Sequence, residues 1–275
     1  MSLNKPLVSI AVVTNASKEG ADQLASATEE LARKYDVKTK RTSEFPCPYG
    51  FIKGVDACFV VGGDGTLLGM MKEAVSFKIP VVGISHGQLG FLATLSPENI
   101  NETLPKLFSG NYVIKHRSLI EYSDSNRNSN FALNDLVVKS AKNSRLCRFS
   151  VHLNDEHVSD YACDGIVFST PTGSTAYNLA AGGPIAHPDA QVVLMTPISA
   201  HTLTSRSVVF PSGVSLQISP LNAEDTPLVS ADGQPAFSST SVFPVQVSAS
   251  DQKISLLELE GHSHFKVLRN KLKWG

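Results

Sequence analysis

The stretch Val60-Val61-Gly62-Gly63-Asp64-Gly65-Thr66-Leu67-Leu68 holds the residues best suited to chemistry. A short apolar run enters a cluster of glycines and leaves in a helical pattern. Glycine lets a backbone approach a ligand closely and take positive φ. The first turn of a following helix presents unpaired N–H groups and a positive dipole end to phosphate. An acid there repels phosphate through space, and it becomes useful when it takes a proton from an attacking hydroxyl or helps hold Mg²⁺. Asp64 is that candidate. A bare Gly-Asp-Gly is a sharp turn with a solvated acid; placed with Gly62 directly after an apolar strand, it reads as ligand binding. Other nucleotide motifs fit worse. There is no GxxxxGK[ST]. The dinucleotide pattern GxGxxG would need glycine where Leu68 stands and an acid after Ile79–Ile84, which offers none.

Two further groups are chemically able. Asn134 and Asp135 place an amide and a carboxylate before an apolar run, a pair that can hold two sugar hydroxyls; alone, it is an Asn-Asp turn. Asp164 to Tyr177 reads as a strand, a turn rich in hydroxyls around Pro171 and Gly173, and a helix start with Ser174 or Thr175 as cap. Tyr177 can lay its ring on a ligand or fill the core. Ser230-Ala231-Asp232-Gly233-Gln234 reads only as a hairpin turn of the Asp-Gly kind.

The elements that must position these residues divide the chain near Gly110. Before it, strands expected at Val8–Thr14, Asp56–Val61 and Ile79–Ile84 alternate with helices at Asp22–Tyr35, Thr66–Val75 and Pro97–Phe108, the last with Ser96 as cap. That alternation predicts a Rossmann-like parallel sheet covered on both faces. After it come short β-rich runs: Tyr112–Tyr122, Phe131–Lys139, Leu146–Leu153, Gly165–Ser169, Gln191–Thr196, Val208–Phe210, Val214–Ile218 and Val242–Val247. A single helix is expected from Ser174 to Gly182. The expectation is an α/β domain over residues 1–110, a β-sandwich-like domain over 111–255, and a basic tail over 256–275 that packs back on the first domain through Val267, Leu268, Leu272 and Trp274.

Composition narrows the function. The 275 residues are 42% hydrophobic with a net charge of −1, a balance unlike that of a nucleic-acid or anionic-membrane binder. Cys47, Cys58, Cys147 and Cys163 form no zinc spacing and read as reduced thiols. Met1–Pro6 lacks a signal-peptide core, and no apolar run approaches the ~20 residues of a membrane span. A cytoplasmic protein without a metal site of its own is expected.

Taken together, Gly62-Gly63-Asp64-Gly65-Thr66, Gly83–Phe91 (GISHGQLGF), Asn134-Asp135, Asp164–Gly183 (DGIVFSTPTGSTAYNLAAGG), His187-Pro188, Thr196-Pro197-Ile198 and Asp232-Gly233-Gln234 resemble the NAD kinase family through nearly the whole chain, in order. The glycine-aspartate motif is shared with diacylglycerol-type lipid kinases and phosphofructokinases; the segment around Gly173 is specific to NAD kinases. The resemblance implies phosphorylation of the 2′-hydroxyl of the adenosine ribose of NAD by ATP with Mg²⁺ or another divalent cation. It implies that Asp64 accepts the proton, that Gly62, Gly63, Gly65 and Thr66 face the phosphates, and that Asn134 and Asp135 contact the ribose. It also implies a basic contact at Arg145, an NAD pocket lined by Asp164 and by Thr175, Ala176, Tyr177, Asn178, Leu179 and Ala180, and Ser199 and Gln234 near its edge. A homodimer or homotetramer is implied as well. Three positions depart from the family: Gly69 stands where many members have Arg, Ala162 where a basic residue is usual, and Ala180 where Ser is usual. Asp135 is one methylene shorter than the common Glu. Two rival readings are a non-catalytic NAD(H) sensor on the same fold and a diacylglycerol-kinase-like lipid kinase.

Overall fold

A computed structural model describes residues 4–15, 20–86, 90–93, 95–141, 147–222, 226–238, 242–261 and 263–274. The chain forms two units, Met1–His116 with Ile254–Gly275, and Arg117–Lys253.

In the first unit the elements are β1 (Ser9–Thr14), α1 (Ala21–Lys34), β2 (Lys38–Thr42), β3 (Ala57–Val61), α2 (Asp64–Phe77), β4 (Val81–Ile84) and α3 (Ile100–Phe108). The strands are parallel in the order β2-β1-β3-β4. All five residues of β3 and all four of β4 are buried, as expected of strands covered on both faces. Ile10, Val12, Phe59 and Val61 alternate to one face, where Leu24, Ala25 and Ala32 of α1 and Leu104, Leu107 and Phe108 of α3 complete a core. The edge strand β2, KTKRT, has no apolar residue and was not expected. Its order comes from the ladder with β1, and its lysines suit an edge. The helix expected from Pro97 starts at Ile100, because residues 97–99 form a turn in which the Ser96 N–H donates to Asn99 Oδ1 at 3.0 Å.

The second unit holds β5 (Val113–Ser123), whose first residues belong to the first unit, then β6 (Ser129–Ala132), β7 (Asp135–Lys139), β8 (Cys147–Leu153), β9 (Glu156–Cys163) and β10 (Gly165–Ser169). A 3₁₀ turn (Thr172–Thr175) and a short α4 (Tyr177–Ala180) follow, then β11 (Val192–Ile198), β12 (Val208–Pro211), β13 (Ser215–Pro220), β14 (Leu228–Ala231), β15 (Gln234–Pro235) and β16 (Val245–Glu258). An antiparallel sheet in the order β12-β11-β10-β7-β14-β15 packs on an antiparallel layer β16-β13-β8-β9. Phe168, Leu136, Val138 and Met195 from the first meet Phe149, Val151, Leu216 and Val247 from the second in one core. The expected α/β-plus-β class is present.

Several expected elements differ. The single run Phe131–Lys139 is two strands, broken at Leu133-Asn134, because β6 pairs with β5 while β7 pairs with β10 and β14. The strand beginning near Val242 runs on to Glu258 through the polar stretch Ser250–Lys253, and its last residues join the first unit with Leu256 beside Val81. The helix expected from Ser174 is interrupted at Ala176, where φ is −94° and ψ −129°. Hydroxyls that bond nearby carbonyls compete there with helical pairing. After β16, α5 (His264–Leu272) belongs to the first unit and buries Val267 and Leu268; Trp274, expected among its anchors, is 49% exposed. All four cysteines are free thiols. Among the described residues no helix is long and apolar enough to cross a membrane.

Candidate active site

In the first unit the glycine turn lies at the carboxyl end of β3, where ligands of open α/β sheets bind. Asp64 is the first residue of α2; the Thr66 N–H already bonds Gly63 O at 3.0 Å, while the N–H groups of Asp64 and Gly65 precede the first helical bond and point out of the helix. Gly63 and Gly65 are exposed, Asp64 is half-buried, and Gly62 and Thr66 are buried. The Asp64 carboxylate is not free in solvent. Its Oδ2 accepts from the Phe91 N–H at 2.9 Å, and its Oδ1 accepts from the N–H groups of Leu92 at 3.2 Å and Ala93 at 3.0 Å. An ionised carboxylate has about four lone-pair sites, so this clip leaves one for a substrate proton. The clip also ties the glycine turn to the end of the Gly83–Phe91 motif; Gly87, Gln88 and Leu89 of that motif lie outside the described residues.

In the second unit a cavity of about 610 Å³ opens on the outer face of the β7–β14 pair, a volume in the range of small-molecule sites. It brings together four residues singled out from the sequence: Asn134, Asp135, Ala176 and Tyr177. The Tyr177 side chain is accessible to a ligand at 38% exposure. Val137, Leu228 and Pro235 give the cavity apolar wall, and Lys139, Ser230 and Asp232, read from the sequence only as strand, turn or motif residues, add polar groups.

Asp135 is 5% exposed. Burial, reinforced by the neighbouring Asp232 and opposed by the Tyr177 backbone N–H, pushes its carboxyl up to about 7. Asp135 therefore donates as well as accepts hydrogen bonds near neutral pH, a versatile contact for a sugar hydroxyl.

Other expected site residues fall elsewhere. Asn178 is fully buried, its amide donating to Ser174 O and Pro184 O and accepting from Thr196 Oγ1 at 2.7 Å, so its side chain holds the fold rather than a ligand. The hydroxyls of Ser169, Thr170, Ser174 and Thr175, in the turn read as rich in hydroxyls, donate to backbone carbonyls of their own unit. Thr172 Oγ1 is buried without a partner among the described residues. Leu179 and Ala180 end α4 and do not line the cavity. Asp164, Ser199 and Ala162 gather past its Lys139 end. The Asp164 N–H donates to Ile198 O at 3.0 Å, its carbonyl accepts from Ser140 N–H, and Ala162 O accepts from His201 N–H. Gln234 is exposed at the start of β15, between the lining residues Gly233 and Pro235. Arg145 lies outside the described residues. Among the described residues no three acids, histidines or cysteines gather to hold a metal ion.

A glycine turn opening a helix in a parallel-sheet unit, with a nucleoside-sized cavity on a β-sandwich unit, defines a two-domain nucleotide-binding architecture. Residues 5–112 match the ATP-NAD kinase N-terminal domain and residues 133–259 the ATP-NAD kinase C-terminal domain. The chain is 34% identical to the NAD kinase of Tolumonas auensis over 96% of both chains. It is 37% identical to that of Shewanella frigidimarina over 80% of this chain and 73% of the relative. The same fold occurs in an Archaeoglobus fulgidus NAD kinase in complex with ATP, at TM-score 0.80 and 23% identity over 96% of this chain and 98% of that one. It also occurs in a yeast NADH kinase complexed with NADH, at TM-score 0.81 and 20% identity over 98% and 88%. The chain belongs to the NAD kinase family, and neither the sensor nor the lipid-kinase reading is favoured.

Proposed function

We propose that this enzyme moves the γ-phosphoryl group of ATP onto the 2′-hydroxyl of the adenosine ribose of NAD, with Asp64 as proton acceptor. The ribose oxygen forms a bond to the γ-phosphorus as the bond to the β,γ-bridging oxygen breaks. The hydroxyl proton passes to Asp64, and ADP leaves. The observation that carries this role is the half-buried carboxylate of Asp64 at the start of α2, flanked by two exposed glycines and held by three backbone N–H groups with one acceptor site remaining. A clipped carboxylate is preoriented, and in phosphoryl transfer positioning and charge stabilisation account for most of the rate.

The helix-opening turn from Gly62 to Thr66, exposed at Gly63 and Gly65, is assigned to the nucleotide phosphates. Asn134 and Asp135 are assigned to the acceptor ribose, and Tyr177 to stacking on the attached base or sugar. A divalent cation is assigned to the ATP, where it would neutralise developing phosphate charge. We place the enzyme in the cytoplasm as a homodimer or homotetramer, which sedimentation at assay concentration tests.

The decisive experiment is NADP formation from NAD, ATP and Mg²⁺ by the wild type and by Asp64→Asn. Turnover of the variant is expected to fall by at least ~10²-fold. Near-normal NADP formation would remove the proton-acceptor role.

A further inference from the structure

We infer that Asp232, in the turn between β14 and β15, is a positioning residue that sets the backbone of Asn134 and Asp135 for the acceptor nucleoside. The inference rests on the proposed assignment of the 610 Å³ cavity to NAD.

The turn itself is ordinary. Asp232 and Gly233 both take positive φ, +49° and +77°, as a type I′ hairpin requires. The side chain does something the turn does not need. Asp232 Oδ2 accepts from the Leu133 N–H at 2.8 Å, and Oδ1 accepts from the N–H groups of Asn134 at 2.7 Å and Asp135 at 3.2 Å. The Asp232 N–H donates back to Asp135 O at 3.0 Å. A residue almost a hundred positions away thus holds three consecutive N–H groups at the point where β6 gives way to β7, where the sheet ladder does not run through.

The same segment is fixed from its carbonyl side. Thr170 Oγ1 donates to Leu133 O at 2.6 Å, and Thr170 N–H donates to Asn134 O at 2.9 Å. Gly173 is packed so closely that a β-carbon on it would meet Asn134 O at 2.0 Å. Asn134 and Asp135 are therefore held from both sides at the place where they line the cavity that Asp232 also lines.

This arrangement sets a second carboxylate beside Asp135, whose carboxyl is pushed up first by burial and then by Asp232. Stability alone does not call for two neighbouring acids in a half-buried site. A backbone held rigid beneath the two ribose contacts accounts for them. The design parallels the clip that Asp64 makes on residues 91–93 in the first unit.

Asp232→Asn tests the inference because the amide has the same shape but only one acceptor oxygen and an added donor. At least one of the three N–H groups then faces an N–H₂. The KM for NAD is expected to rise about tenfold, the worth of one charge-assisted hydrogen bond, with the KM for ATP within about twofold. Asn134→Ala, measured beside it, separates two kinds of failure. If Asn134→Ala raises the KM for NAD and Asp232→Asn leaves it unchanged, or moves both KM values alike, the positioning role is overturned while the cavity assignment stands. If Asn134→Ala leaves the KM for NAD unchanged, the cavity assignment itself fails. Should Asp232→Asn not fold, hydrogen exchange on the wild type decides. Amides of Leu133, Asn134 and Asp135 as slow as the β7 ladder support the clamp, and fast exchange at all three overturns it.

Discussion

Gly90 lies against the carboxylate of Asp64 so closely that a β-carbon on Gly90 would sit 2.1 Å from Oδ1 and 3.0 Å from Oδ2. Its backbone N–H bonds Ala93 O at 3.0 Å, which closes the small loop whose next N–H groups grip Asp64. Gly90 is thus required by close approach. Gly90→Ala should push the carboxylate off its three donors, costing about 1–3 kcal/mol of stability and lowering turnover more than the lost stability explains. Denaturant unfolding and kcat measured on one preparation check this; wild-type values for both would show that the clip tolerates displacement.

Asp135 makes stability depend on pH with an unusual sign. Its carboxyl is raised to about 7 by burial and by Asp232, against an ordinary value of 3.8. Between pH 4 and 7 the folded chain holds a proton that the unfolded chain has released. This group therefore favours folding below about pH 4 and loses that advantage as the pH climbs to about 7, a swing on the order of 4 kcal/mol. Asp135→Asn is neutral throughout, so its stability relative to wild type should improve between pH 5 and pH 8. Urea unfolding at both pH values tests it, and a constant difference would mean that Asp135 is ionised at pH 5.

The departure at Gly69 has a physical partner. A β-carbon there would meet the Phe45 ring at 2.3 Å. In an open helix, glycine to alanine gains about 1 kcal/mol. Gly69→Ala alone should therefore gain nothing or lose stability, whereas the same change in a Phe45→Ala background should raise the melting temperature. The two substitutions must be non-additive in a double-mutant cycle; simple additivity would separate Phe45 from Gly69.

Asn178 was expected to line the NAD pocket and is instead interior, bonded to Ser174, Pro184 and Thr196. Asn178→Ala should cost about 2–4 kcal/mol, since it leaves several buried partners unpaired. The KM for NAD of the folded fraction should stay near wild type. A raised KM with unchanged stability would return Asn178 to the binding wall.

In α5, Leu268 and Val267 are 2% and 3% exposed, while Trp274 is 49% exposed. Leu268→Ala should lose about 2–5 kcal/mol, and Trp274→Ala should change stability by less than about 0.5 kcal/mol. The reverse order would mean that the tail is anchored by its indole.

Local chemistry was legible in the sequence wherever neighbours along the chain decide the outcome. The apolar runs of β1, β3 and β4, the helix after Gly65, the positive-φ turn at Asp232-Gly233, and the acid framed by Gly63 and Gly65 all follow from residue type and spacing. Partners distant in sequence followed from none of these. β2 exists because β1 offers it a ladder, not because KTKRT favours a strand. Asp232 reads locally as a turn residue, and only the pairing of β14 with β7 brings its carboxylate to the amides of Leu133, Asn134 and Asp135. The turn after Ser169 reads only as rich in hydroxyls until folding supplies carbonyls to accept them. Hydrogen bonds act over about 3 Å, so a side chain's role depends on what the tertiary structure sets beside it.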